Sequence, residues 1–160
     1  MARAQSSYIL WVFSALIILA VIAGLLLHAH HPSKAPPQTG CVAQRFTVGS
    51  SGACVRDIQT MVNYMETAGL SECPFTDGKP LNINGTYDGT TKQQVQSVQT
   101  WINCYNKQEG SNTSIPTDGT IGSSTWPQLC SYAYRFPSQS NSSTSPYCAE
   151  AIAAGKNAGC

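Results

Sequence analysis

The chain has 160 residues, a formal net charge of +1 and only 11% charged side chains. No Lys/Arg stripe is available to hold a phosphate backbone, so nucleic acid is excluded as a partner class. With an apolar N-terminal run and a polar C-terminal stretch set aside, fewer than about a hundred residues remain to build a single core.

Residues 8–27 are apolar except for Ser14 and Gly24, a run long enough to cross a hydrocarbon core of about 30 Å as a helix. We read it as a retained transmembrane helix, with residues 1–7 in the cytoplasm. Cleavage as a signal peptide is the competing reading, but the run is longer than the usual apolar region of about 7 to 15 residues. Leu27-His28-Ala29-His30 also lacks a small-x-small site. Residues 28–43, with Pro32, Pro36 and Pro37, read as an extended tether. Its contour is at most about 60 Å, which confines whatever follows to the neighbourhood of the membrane.

Seven cysteines, Cys41, Cys54, Cys73, Cys104, Cys130, Cys148 and Cys160, follow the apolar run, and none forms a CxxC pair. That usage fits disulfides in an oxidising space, with free thiols and a four-cysteine zinc site as the other readings. The C-terminal part is therefore expected outside the cytoplasm, on a single-pass protein of the cell membrane. An odd count leaves at least one cysteine unpaired within the chain.

The folding signal lies in residues 44–135. Val55, Ile58, Val62 and Met65 form one helical stripe, and Val95, Val98, Ile102 and Tyr105 repeat it at an offset of 40 residues. Asn84-Gly85-Thr86-Tyr87, followed by Thr91, recurs 34 residues later as Asp118-Gly119-Thr120-Ile121, followed by Thr125. Asx-Gly pairs favour turns with positive φ, so the unit reads as turn, apolar staple, helix. Thr91 with Gln94, and Thr125 with Gln128, have capping-box spacing, and Asp88 or Ser124 is an equally good cap. Pro127 restricts the third helix to a short piece of roughly 124–134. The expected fold is all-α, a small three-helix bundle with turn-rich loops and disulfides. Residues 136–160 read as a Ser/Asn-rich linker and a cysteine-containing tail, with Cys148 and Cys160 closing a small appendix.

These blocks resemble the peptidoglycan-binding domain family of three-helix type. Gly49, Gly52, Val55, Ile58 and Gln59 match its GxxGxxVxxLQ opening. Asn84, Gly85, Tyr87, Thr91, Val95, Val98 and Gln99 match its DGxFGxxTxxAVxxFQ centre. Asp118, Gly119, Gly122, Thr125, Trp126 and Leu129 match its DGxxGxxTWxxL close. The resemblance covers about residues 45–130, in order. Asp88 replaces the family's Gly, Gln94 its Ala and Val98 its Phe. What the resemblance implies is a bundle that binds cell-wall polymer, in the family often beside a hydrolase.

Catalysis is not expected. All three histidines, His28, His30 and His31, lie in the tether, and the acids Asp57, Glu66, Glu72, Asp77, Asp88, Glu109 and Asp118 are scattered. No cofactor is predicted. Polymer binding by a small neutral domain calls for aromatic faces and a few fixed polar groups. The ligand candidates are therefore Tyr64, Tyr87, Trp101 and Trp126 with Asp88, Gln99 and Thr125. Tyr87 and Trp126 have core packing as their competing reading, and Gln99 a bond to a neighbouring loop backbone. The expected function is a non-catalytic tether binding peptidoglycan, or one recruiting a cell-wall hydrolase to it. The alternative is a protein-interaction module on the same fold.

Overall fold

The computed structural model describes residues 40–68, 73, 75, 79–137 and 145–160. The expected transmembrane helix, the cytoplasmic N-terminus, the histidine cluster and most of the tether lie outside these residues. None of the described helices is long and apolar enough to cross a membrane.

The described residues are helical, with α1 at Ala53–Thr67, α2 at Gly89–Gln108, α3 at Thr125–Cys130 and α4 at Cys148–Ala158. A 3₁₀ turn, Cys41–Ala43, precedes α1, and α3 runs on as a π-helical segment, Ser131–Arg135. Both predicted stripes face inward: Val55, Ile58, Val62 and Met65 on α1, and Val95, Val98 and Ile102 on α2, are fully buried. Leu129 of α3 closes the same core. Asp88 is the N-cap of α2, its carboxylate accepting the Thr91 N–H at 2.8 Å. Ser124 makes no side-chain cap to α3.

The repeat read from the sequence is a repeat of hydrogen bonds. Gln59 lies buried on α1, its Oε1 accepting the Gly85 N–H at 2.9 Å while its Nε2 donates to Thr86 O and to Thr91 Oγ1. Gln99 on α2 does the same to the second turn, with Gly119 N–H on Oε1 at 2.9 Å and Nε2 donating to Thr120 O and Thr125 Oγ1. Each turn therefore hangs from the helix before it and from a threonine of the helix after it. Gly85 and Gly119 have φ of 74° and 70°, a conformation that only glycine adopts cheaply. One turn further along each helix, Asn63 clamps both backbone groups of Leu81, and Asn103 both of Ile115. Gln-x-x-x-Asn thus places two amides on one helical face to hold an extended strip of backbone.

The segment before α1 stitches the two units together. Phe46 pairs with Ile121 through two backbone bonds of 2.9 and 3.0 Å, and Gly49, Ser50 and Gly52 bond to Tyr87 and Gly85. These are isolated bridges, and the described residues contain no extended sheet. The staples Tyr87 and Ile121 are fully buried beneath this segment.

Two expectations on boundaries are corrected. Cys41 and Val42, assigned to the tether, are buried in the core. Three helices become four, because the C-terminal tail folds back as α4 and packs along α1 and the π-helical segment. Its stripe consists of Ala151, Ala154, Gly155 and Ala158, all buried. Small side chains let the backbones approach: a Cβ on Gly155 would sit 2.5 Å from Tyr134 Cβ. The appendix closed by Cys148 and Cys160 is not formed. Cys160 bonds to Cys130 instead, alongside Cys41–Cys54 and Cys73–Cys104, and Cys148 is free.

Two outcomes follow for the intact chain. Gln99→Ala strips partners from the Gly119 amide and the Thr120 carbonyl and costs about 2 to 4 kcal/mol. A thermal melt will register it as a fall of roughly 10 °C. Thiol titration of the oxidised, denatured chain will find one reactive thiol, and Cys148→Ser will abolish it; residual titration of that variant would overturn the pairing.

Candidate functional site

Where the segment ahead of the first motif block meets the last block, a groove of ≈ 400 Å³ opens on the surface. One wall is residues 42–45, led in by the 3₁₀ turn and tied to α1 by the Cys41–Cys54 disulfide. The other is built from Pro116, the Asp118 turn and residues 122–125.

The walls hold their spacing through groups buried beneath them. Trp126 donates its indole N–H to Gln44 O at 3.0 Å, joining the third block to the N-terminal segment, and packs edge-on against Phe46 at 5.9 Å. Tyr87 O–H donates to Gly119 O at 2.8 Å, so the staple of the first turn supports the backbone of the second. Burial, with the Asp118 carboxylate nearby, raises the Tyr87 phenol above its ordinary range and keeps it a neutral donor.

Most of the ligand candidates therefore need correction. Tyr64, Tyr87, Trp101 and Trp126, with Gln99 and Thr125, are all buried. Thr125 borders the groove, but its hydroxyl is engaged: it donates to Thr120 O and accepts from Gln99. The carbonyl contact considered for Gln99 is the one it makes. Trp101 is 1% exposed, stacked between Phe75 and Tyr105 at centroid distances of 5.5 and 5.2 Å, with Tyr132 edge-on. Two residues before Phe75, Cys73 is bridged to Cys104 of α2. Beside this stack Phe136 is 47% exposed. Asp88 alone of the seven candidates is exposed, and its carboxylate is spent on the α2 cap.

Of the residues that line the groove only Thr125 was a candidate; those with charged or hydroxyl side chains that were missed include Arg45, Asp118, Ser123 and Ser124. Asp118 was read only as a turn residue. Arg45 sits immediately before the Phe46 β-bridge, which no periodicity announces. Comparison with protein-family models, curated proteins and solved structures finds no match.

The Asp88 cap has a pH signature. Its bond from the Thr91 amide is the largest cause holding its carboxyl below the ordinary Asp range. A depressed folded-state pKa stabilises the fold above the unfolded value and loses that effect as pH falls through the folded one. Asp88→Ala is expected to cost about 1 kcal/mol at neutral pH. In urea unfolding the gap from wild type should narrow below about pH 4. Asp88→Asn, which does not titrate, should lie near wild type at pH 7 and gain on it as pH falls; an Ala gap as wide at pH 3 as at pH 7 would refute the assignment.

Proposed function

We propose that the chain is a non-catalytic, single-pass membrane protein whose extracytoplasmic domain binds peptidoglycan in this groove. It would hold the membrane, or a partner cell-wall hydrolase, against the wall. The observation that carries the reading is the convergence of the three motif blocks. Helices bearing the first and second blocks hang the two turns, and the third block and the lead-in to the first face each other across the groove.

The physical character of the site agrees. A groove with one cation, one anion and several hydroxyls suits a neutral, amphoteric polymer better than a polyanion. A weak site is sufficient when a short tether fixes the domain near a polymer that repeats its epitope many times, because effective concentration does the rest. The competing reading, a protein-interaction module, is favoured by the exposed Phe136 beside the aromatic stack.

Gly122 provides the test. A Cβ built there meets nothing within 4 Å, so a large side chain fills the groove without disturbing the core. Oxidised full-length chain in detergent should co-sediment saturably with purified sacculi, and Gly122→Trp should lose at least about tenfold in affinity at unchanged melting temperature. No sedimentation by folded wild-type chain would sink wall binding and promote the protein-interaction reading.

A further inference from the structure

We infer that the groove grips an amphoteric peptide end, one free amine and one carboxylate carried by the same terminal residue, and not a sugar face. The inference rests on the wall-binding reading and assigns the stem peptide, with its diamino acid, as the recognised part of the polymer.

Two observations carry it. First, Arg45 and Asp118 line the same groove, and among the described residues neither forms an ion pair. Opposite charges left unpaired in one concavity are a complementary pair of ligand sites, the guanidinium for a carboxylate and the carboxylate for an ammonium.

Second, the sister turn shows that the charge on Asp118 is not structural. Asn84 occupies the same place in the first turn, its Oδ1 accepting the Thr86 N–H at 2.8 Å. Asp118 Oδ1 accepts the Thr120 N–H at the same 2.8 Å. A neutral amide is therefore sufficient for the turn, and the second carboxylate oxygen of Asp118 is left over. Lys92 packs its stem over Gly119 without pairing with that carboxylate.

The lining also argues against a sugar. Stacking on a pyranose ring needs an exposed aromatic face. Among the described residues no aromatic side chain lines the groove, and the aromatics beneath it are buried. What it offers beside the two charges is the hydroxyls of Ser123 and Ser124. Those groups hydrogen-bond an extended peptide backbone well.

Competition against sacculi by the oxidised full-length chain decides the matter. The probes are a free stem tripeptide ending in a diamino acid, the same peptide acetylated on its side-chain amine, the same peptide amidated at its C-terminus, and peptide-free glycan strands. The free tripeptide should compete and the glycan should not; acetylation and amidation should each weaken competition about tenfold. Asp118→Asn should melt with wild type, as the Asn84 turn predicts, and treat the acetylated and free peptides alike. Arg45→Gln should treat the amidated and free peptides alike. If sacculi bind but glycan strands compete, or blocking the amine changes nothing, the inference falls and wall binding stands. If folded chain ignores sacculi, both fall.

Discussion

A buried glutamine amide holds each Asx-Gly turn against the helix that precedes it, and the rest of the domain is arranged around that constraint. An amide withdrawn from water loses its hydration and recovers it only if both ends are satisfied. Gln59 and Gln99 are satisfied by the glycine amide and by the carbonyl one residue beyond it, a pair of groups that only this turn presents together. Turn and helix therefore specify each other. The N-terminal segment adds backbone pairing to both turns, and the staples Tyr87 and Ile121 are trapped between the layers.

Much of this was legible because it is periodic. The stripes of α1 and α2, the two turns and their offset are local patterns whose spacing is dictated by helix and turn geometry. Burial of the aromatics was not legible, since an aromatic beside a stripe reads equally as core or as surface. Trp101 is decided by Phe75 and Tyr132, partners distant in sequence. The α4 stripe has helical spacing but is written in alanine and glycine, whose weak hydropathy hides it after a Ser-rich stretch. Asn63 and Asn103 share the 40-residue offset of the two glutamines and were open to the same reasoning carried one turn further.

The groove belongs to the part that local patterns do not reveal. It exists because a segment with no periodicity of its own, residues 42–45, is laid beside the second turn by pairing with Ile121 and by the Trp126 indole. Of the aromatics expected to touch ligand, Tyr87 and Trp126 instead brace its walls from beneath, while Tyr64 and Trp101 are buried elsewhere in the core. The rim carries small polar and charged side chains, among them Arg45, Asp118, Ser123 and Ser124.

The Cys41–Cys54 bridge has a mechanical consequence. Tension applied to the chain ahead of Gly40 enters the fold at Cys41 and passes through the sulfurs into the first turn of α1. The groove wall at residues 42–45 lies inside the covalent loop so formed and off the line of force. Tension from that side therefore loads a covalent bond and a buried helix before the hydrogen bonds that shape the groove.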